Sequence, residues 1–197
     1  MGVGDRSSMS VRTGGLIALI IVGSPAWASS PSAPGIRNFH QVDPAVYRGA
    51  QPTSQGVEYL AKLGVKVVID LREPGERSRG EERMVSAAGM RYVNVPMSGL
   101  TPPTQVQTDA ILALMEDPNA GPVFVHCMRG ADRTGAVIAA YRMDHDKWDA
   151  AQALKEALAD GMSWFQVPRQ NYIKAFHPRS AEAAAGSTVA AISGAKN

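Results

Sequence analysis

Residues 122–135 read Pro-Val-Phe-Val-His-Cys-Met-Arg-Gly-Ala-Asp-Arg-Thr-Gly, and the fold is best approached from this stretch. The β-branched and aromatic run from Pro122 to His126 predicts a strand that is buried on both faces of a sheet. A short turn containing Gly130 follows, and a helix is predicted at 134–144. Backbone N–H groups of such a turn and of a helix N-terminus favour negative charge. The stretch therefore predicts an anion-binding loop between a strand and a helix.

The rest of the chain alternates strand-length apolar runs with segments of helical period. One helix is predicted from Thr101 as N-cap and Pro102 as first residue to about Glu116. Further strands are predicted at 45–48, 66–71 and 91–95, and further helices at 56–63, 81–88, 148–160 and 165–176. This alternation predicts an α/β fold, a single layered domain with a mostly parallel central sheet flanked by helices. Ligands of such sheets bind beyond the carboxyl ends of the strands, where the loop after His126 lies.

Cys127, Arg133 and Thr134 are spaced so that all three can act on one bound phosphate. The positive field of a helix N-terminus lowers the pKa of a thiol and favours the nucleophilic thiolate. The planar guanidinium of Arg133 can donate to two phosphate oxygens and follow their charge into the transition state. Thr134 can donate to the thiolate or to a phosphorylated sulfur and assist its hydrolysis. The three residues predict phosphoryl transfer with Cys127 as nucleophile.

The pattern His-Cys-x5-Arg-Thr-Gly resembles the signature loop of the cysteine-dependent protein tyrosine and dual-specificity phosphatases. The matching residues are His126, Cys127, Gly130, Arg133, Thr134 and Gly135. Segments 46–52 and 67–72 are similar to bacterial dual-specificity-like members of this superfamily. The resemblance therefore covers most of residues 45–160.

This resemblance implies a phosphomonoester hydrolase that works through a phosphocysteine intermediate. Cys127 would attack phosphorus, and His126 would help to hold the thiolate state. The phosphoryl group would be bound by the loop, whose residues are Met128, Arg129, Gly130, Ala131, Asp132 and Arg133. The family needs no metal and no other cofactor, and the sequence shows no His/Cys/Asp cluster with the spacing of metal ligands.

One part of the family pattern is missing upstream of the loop. Most members carry an aspartate general acid after the strand that corresponds to 91–95, but residues 96–101 contain no carboxylate. Asp109 lies further on, within a predicted helix. Asp132 lies inside the loop, as in some related bacterial phosphatases, and is the hypothesised acid. The alternative for Asp132 is a structural role, in which it caps the following helix.

The composition excludes some partners and leaves the substrate open. The chain has 20 basic and 18 acidic residues and a net charge of +2, so nucleic acid is not expected as a partner. The expected substrate is a phosphorylated protein or a phosphorylated inositol or lipid. Arg129 either binds a second phosphate at the rim or faces solvent. The Asp-Arg-Thr ending and Arg129 together tilt the expectation slightly toward a polyphosphorylated substrate.

Three other functions use comparable loops. A non-catalytic phosphate-binding module usually lacks the cysteine or the arginine, and this chain has both Cys127 and Arg133. Sulfurtransferases of the rhodanese kind generally lack the five-residue spacing from Cys to Arg followed by Thr-Gly. Arsenate reduction on a similar loop normally needs additional cysteines, whereas Cys127 is the only one in this chain. The phosphatase interpretation is preferred.

The N-terminus has the pattern of a signal peptide, predicted at 1–28. Arg6 and Arg12 precede an apolar run at 16–22, and Ala26-Trp27-Ala28 fits a signal-peptidase site. The run is shorter than the roughly 20 residues that span a bilayer. Export to the periplasm or the medium is therefore expected, with no permanent membrane anchor. An unprocessed apolar arm is the alternative.

The remaining boundaries follow from composition. A Pro/Ser-rich leader is predicted at 29–36, the phosphatase domain at 37–177 and a disordered tail at 178–197. A lone cysteine cannot form an intramolecular disulfide, and in an exported domain this favours a chemical use of its thiol.

Several conspicuous side chains have structural interpretations. Asp70 and Arg72 are expected to form an ion pair below the site, and Arg48 is also assigned a structural role. Trp148, Trp164 and Phe165 are expected to pack helices together.

Overall fold

A five-stranded sheet forms the centre of the fold, in a computed structural model that describes residues 1–2 and 33–179. The strands are β1 (His40–Gln41), β2 (Val46–Ala50), β3 (Val67–Asp70), β4 (Arg91–Asn94) and β5 (Val123–Cys127). Their order across the sheet is β1-β2-β5-β3-β4. β1 runs antiparallel to β2, whereas the other three pairs are parallel. The prediction of an α/β domain with a mostly parallel sheet is confirmed.

Six helices cover the two faces of this sheet in the described part of the chain. They are α1 (Ser54–Lys62), α2 (Glu76–Ala87), α3 (Gln105–Glu116), α4 (Asp132–Asp144), α5 (Ala150–Ala159) and α6 (Val167–Ala175). None of these helices combines the length and apolarity needed to cross a bilayer.

Two hydrophobic cores lie on opposite faces of the sheet because successive strand residues point to opposite sides. Ile69 and Val125 face one core, to which α3, α4, α5 and α6 contribute apolar side chains. Val68 and Phe124 face the other, where α1 and α2 pack. Both central strands are therefore buried on both faces, as their continuous apolar sequences predict.

The register of the sheet brings the functional loop together with two other strand ends. Ala50 at the end of β2 pairs with Cys127, and Asp70 at the end of β3 pairs with His126. The carboxyl ends of β2, β3 and β5 thus meet at one point on the sheet edge, which is where ligands of parallel sheets bind.

The predicted start of α3 at Thr101 and Pro102 is wrong. The N-cap is Thr104, whose hydroxyl accepts from the backbone N–H of Gln107 at 3.3 Å, while the Gln107 side chain accepts from the Thr104 N–H at 2.8 Å. Both Thr101 and Pro102 precede a proline, and a residue in that position is disfavoured in the helical region. The first residue free of this restriction that can also cap is Thr104.

The predicted start of α2 is wrong as well. α2 begins at Glu76 rather than at Glu81, because a polar first turn gave no apolar period to recognise. α6 begins at Val167, so Trp164 and Phe165 lie in the preceding turn. The expectation that these two side chains pack helices together is also wrong, since both are exposed.

The predicted leader and tail both border on the folded domain. Ala33 and Ile36 are buried in the core on the α1 side, so the last residues of the predicted leader pack on the domain. At the other end, Arg179 donates to Asp144 and forms an ion pair with Glu116. Residues 1–2 apart, the predicted signal peptide lies outside the described residues, as do 29–32 and the tail from 180 onward.

Candidate active site

Cys127 is the last residue of β5 and begins a loop that leads directly into α4. Its side chain is 2% exposed and lies between the ends of β2 and β3. The loop turns through Gly130 and ends where α4 begins at Asp132. The N-terminus of α4, with its positive end, therefore faces the sulfur, as the sequence predicts.

Gly130 sets the curvature of the loop. Its φ is +69°, and a Cβ at this position would lie 2.3–2.5 Å from the backbone of Gly49 and Ala50. The Gly130 carbonyl accepts hydrogen bonds from Arg48 Nη2 at 2.7 Å and from Asn38 Nδ2 at 2.9 Å. Because a trans peptide group directs its N–H opposite to its C=O, the N–H of Ala131 points into the loop. The hydrogen bonds from Arg48 and Asn38 thus orient the peptide group so that the Ala131 N–H can donate to a bound anion.

Asp160 holds the side chain of Arg48 in place. Its Nη1 donates to Asp160 Oδ2 at 2.6 Å, and its side chain is buried. Asn38 also donates to the backbone carbonyl of Asp160 at 2.9 Å. The structural role that the sequence assigns to Arg48 is confirmed, and its target is the catalytic loop.

The environment of Cys127 favours the thiolate. Burial alone raises the pKa of this thiol, but hydrogen bonds from the side chain and backbone of Thr134, the charge of Arg133 and the Arg129 N–H lower it below its ordinary value. The Thr134 hydroxyl is fully buried and has no aligned hydrogen-bond partner among the described residues. It is therefore available to the sulfur.

Arg133 lies on the first turn of α4 and is only partly buried. Its Nη1 donates to the carbonyl of Met97 at 3.3 Å, a long and therefore weak hydrogen bond. No carboxylate is paired with this guanidinium among the described residues. Its fork is thus free to bind an anion over the loop.

His126 lies beneath the loop and is fully buried, with an acceptor close to each of its ring nitrogens. Its Nε2 lies 2.6 Å from Glu81 Oε1 and 3.9 Å from Asp70 Oδ1, although the Glu81 contact is not aligned as a hydrogen bond. Burial lowers the pKa of His126, but the neighbouring Glu81 and Asp70 carboxylates raise it above its ordinary value. The opposite ring nitrogen, Nδ1, lies 3.3 Å from the Cys127 carbonyl. Protonated His126 therefore donates to the backbone of the cysteine.

Arg72 completes a buried cluster of four charges. It donates to Asp70 Oδ1 at 2.8 Å through Nε, and through Nη2 to Asp70 Oδ2 at 2.6 Å and Glu81 Oε2 at 2.7 Å. The predicted ion pair of Asp70 and Arg72 is confirmed. Ligand atoms of Asp70, Glu81 and His126 all lie within 4.8 Å of one another, as in a metal site. Here Arg72 supplies the positive charge between the two carboxylates.

Asp132 is held as an acceptor. Its Oδ1 accepts from the backbone N–H of Ser163 at 2.8 Å, and its other oxygen pairs with Arg129. Burial raises the pKa of this carboxyl, but the Ser163 N–H and Arg129 lower it below its ordinary value. The side chain makes no cap to α4. It ties the start of α4 to the turn before α6 instead, and Arg129, 56% exposed, also donates to the Ser163 hydroxyl.

Arg169 of α6 holds the segment that follows β4. It is fully buried and donates to the carbonyls of Ser98 at 2.6 Å and Gly99 at 3.1 Å. Its remaining polar side-chain contact is with Gln166. Burial lowers the pKa of Arg169, and the charges of Asp132, Arg133 and Cys127 also act on it. Residues 96–101, which contain no carboxylate, are therefore held in place by the buried Arg169.

Of the predicted site residues, Thr134, Arg133 and the Arg129 N–H act on the sulfur of Cys127. The side chains of Asp132 and Arg129 pair with each other instead, and the ring of His126 lies beneath the loop against Glu81. Asn38, Glu81, Asp160 and Arg169 were not predicted as part of the site. Only Glu81 carries a signal in the sequence, since a glutamate on the buried face of an amphipathic helix requires a partner. Asp109 lies on α3, where it accepts from Gln105 at 2.8 Å.

A family model described as "DSP-PTPase phosphatase fused to NAD+ Kinase" matches residues 30–174. The dual specificity protein phosphatase TpbA of Pseudomonas aeruginosa is 33% identical over 142 residues, which cover 70% of this chain and 60% of TpbA. The chain thus spans about 60% of the length of this curated relative. The inositol diphosphatase DSP3 of Arabidopsis thaliana is 27% identical, over 71% of this chain and 70% of its own.

A solved structure of the same relative is similar to this chain over most of its length. The crystal structure of P. aeruginosa TpbA in complex with pTyr has a TM-score of 0.64 and 25% sequence identity. The match covers 86% of this chain and 98% of the crystallised chain.

Replacing the Thr134 hydroxyl tests the electrostatic account of the thiolate. Thr134→Val keeps the shape of the side chain and removes the hydroxyl that lowers the pKa of Cys127, so this pKa should rise. The pH dependence of alkylation by iodoacetamide reports this pKa directly, because the chain has one cysteine. The alkylation profile should move to higher pH.

Thr108→Val is the matched control, since Thr108 is equally buried but bonds to Tyr172 on α6. Its profile should follow that of the unchanged protein. An unshifted profile for Thr134→Val would contradict the assignment of its hydroxyl to the sulfur.

Proposed function

The chain belongs to the DSP-PTPase family of cysteine-dependent phosphatases, and on that premise we propose that it hydrolyses phosphate monoesters through a phosphocysteine on Cys127. The thiolate attacks phosphorus, so that an S–P bond forms while the ester P–O bond breaks and the leaving oxygen takes a proton. Water then attacks phosphorus and breaks the S–P bond. The products are inorganic phosphate and the restored thiolate.

The observation that carries this proposal is the position of the Cys127 thiol, at the end of β5 and in a loop that leads directly into the N-terminus of α4. Thr134, Arg133 and the Arg129 N–H lower the pKa of Cys127 against the effect of burial. The N–H of Ala131 points away from Arg48 and Asn38, because these side chains hold the Gly130 carbonyl of the same peptide group. Donors fixed before the substrate arrives stabilise transition-state charge without reorganisation.

Each neighbour of the sulfur has a proposed role. Arg133 exchanges its weak bond to the Met97 carbonyl for two phosphate oxygens and holds them through the transfer. Thr134 donates to the thiolate and, after its release, assists hydrolysis of the phosphocysteine. His126, protonated by its contacts with Glu81 and Asp70, orients the backbone of Cys127 and adds positive charge. The loop amides from Met128 to Arg133 bind the phosphoryl oxygens.

A phosphotyrosine side chain of a protein is the proposed substrate. The arginines around the loop are mostly neutralised: Arg129 by Asp132, Arg48 by Asp160, and Arg72 by Asp70 and Glu81. A polyphosphorylated inositol requires several free cations, whereas a monoester requires mainly Arg133. The crystal structure of the relative TpbA with pTyr supports this choice.

Inositol phosphates remain the alternative substrate class, which the name of the Arabidopsis relative favours. They would need Arg129 to leave Asp132 in order to hold a second phosphate. A non-catalytic phosphate-binding module is the less favoured alternative, because both Cys127 and Arg133 are retained.

Asp132 is the proposed donor of the leaving-group proton. It is the carboxylate of the loop itself, and residues 96–101 offer none. Its bonds to Ser163 and Arg129 lower its pKa in the free protein. To act as an acid it must gain a proton when the phosphate dianion binds beside it, since a nearby negative charge raises the pKa of a carboxyl.

The proposed setting is the periplasm or the medium. Arg6 and Arg12 before the apolar run at 16–22, and the Ala26-Trp27-Ala28 site, support export of a processed domain. Substrates would then be phosphorylated side chains exposed in that compartment.

Turnover of p-nitrophenyl phosphate tests the proposed activity. The purified protein should hydrolyse this ester in a reductant and a metal chelator, and vanadate should inhibit it. Cys127→Ser should lower kcat by about 10⁴-fold or more, since removing a nucleophile abolishes the covalent route. The serine variant should still bind phosphotyrosine, which confirms that its loop is folded. Activity that survives this substitution would contradict the assignment of the nucleophile.

Asp132→Asn tests the proton donor with two leaving groups. For an alkyl phosphate, whose leaving oxygen needs a proton, kcat/KM should fall by about 10²-fold or more. For p-nitrophenyl phosphate, whose leaving group is stable as an anion, the loss should be small. Equal losses of kcat/KM on both substrates would contradict the role of Asp132 as proton donor and indicate that it only holds Ser163.

A further inference from the structure

Large apolar side chains are exposed on the two segments that border the catalytic loop. We call Leu100, Val106, Trp164, Phe165 and Val167 the apolar rim. Trp164 is 82% exposed and Leu100 is 80% exposed. The rings of Trp164 and Phe165 contact each other edge to face, with centroids 5.8 Å apart. Exposed apolar residues that cluster in this way mark interaction surfaces.

The apolar rim is tied to the active site by hydrogen bonds. Arg169 links the turn that carries Trp164 and Phe165 to the carbonyls of Ser98 and Gly99, next to Leu100. Gln107, beside Val106, donates to the carbonyl of Pro96 at 2.6 Å. The Ser163 N–H donates to Asp132 of the loop at 2.8 Å. The two segments are therefore held next to each other, beside the loop that would bind the phosphate.

The same segments are uncharged apart from one internal arginine. Residues 92–108 contain no Asp, Glu, Lys or Arg, and neither do residues 161–168. Arg169, which follows them, is fully buried on backbone carbonyls. Arg129, the exposed arginine of the loop, is paired with Asp132. An acidic side chain brought to the apolar rim would lose water and gain no cation.

We propose that the apolar rim binds the residues that flank the phosphorylated side chain of a protein substrate, and that it selects large apolar or aromatic residues there. The inference rests on the proposed phosphotyrosine phosphatase function and adds its sequence preference. An extended peptide advances about 3.3 Å per residue, so residues one to three positions from the phosphotyrosine reach about 3–10 Å from it. Its flanks must therefore lie over whatever borders the loop. On the side of the apolar rim that border is apolar, whereas on the side of Met128 it carries Glu73, Glu76 and Arg77.

Two matched phosphotyrosine peptides test this selection. One carries Leu and Trp on either side of the phosphotyrosine, and the other carries Asp and Glu at the same positions. The unchanged enzyme should hydrolyse the apolar peptide with a kcat/KM about tenfold higher, a typical effect of one buried aromatic contact. Equal or higher kcat/KM for the acidic peptide would overturn the proposal.

The double variant Trp164→Ala, Phe165→Ala should remove this preference. Both side chains are exposed, so the change leaves the core intact. The ratio of kcat/KM for the apolar peptide to that for p-nitrophenyl phosphate, which has no flanks, should fall about tenfold. Met84→Ala, an exposed residue of α2, is the control and should leave the ratio unchanged. A double variant that retains the ratio would overturn the proposal.

Binding of the same peptides to Cys127→Ser separates this inference from the proposed activity. The serine variant should bind the apolar peptide about tenfold more tightly than the acidic one, and the double variant in the serine background should lose this difference. A preference in binding supports the apolar rim even if no ester is hydrolysed, whereas hydrolysis without any preference overturns this inference alone.

The other possible occupants are also decided by these variants. Co-sedimentation with phosphatidylglycerol vesicles that the double variant abolishes, with peptide preference intact, would assign the apolar rim to a membrane surface and overturn the proposal. Loss of a dimer in the double variant, again with preference intact, would assign the rim to a second copy and overturn it equally.

Discussion

The hydrogen bonds from Arg48 and Asn38 to the Gly130 carbonyl are the contacts on which the loop geometry depends. They hold the carbonyl outside and thereby turn the next N–H inward, where an anion can be bound. The residue at position 130 must be glycine, because any side chain there would collide with the backbone of Gly49 and Ala50. Fold and site are thus joined at one peptide group: β2 supplies the arginine, and β5 carries the loop that it holds.

A second constraint acts beneath the loop through four buried charges. Arg72 pairs with both Asp70 and Glu81, and His126 lies against the same two carboxylates. Removing one partner of such a group costs about 3–5 kcal/mol, because a buried charge is left uncompensated. The cluster holds the ring of His126 against the backbone carbonyl of Cys127. The backbone of Cys127 is therefore held by side chains of α2 and β3 through His126, as well as by the loop.

The sequence predicted those parts of the site that are contiguous in the chain. The nucleophile, the glycine turn and the start of α4 lie within ten residues, and local rules describe them. The supports could not be predicted in this way: Asn38 is 92 residues from Gly130, and Arg48 is 112 residues from Asp160. Periodicity also failed at Trp164 and Phe165, because it cannot tell a turn before a helix from the helix itself. The observed start of α3 differs from the predicted one for a local reason, because Thr104 caps the helix in place of Thr101.

The most direct test of this account is the detection of the covalent intermediate. The protein is mixed with an aryl phosphate, quenched in acid within a single turnover and digested for mass spectrometry. The account predicts one added phosphoryl group, on the peptide that contains Cys127 and on its sulfur. Phosphate found on another side chain, or steady turnover during which Cys127 is never phosphorylated, would contradict it.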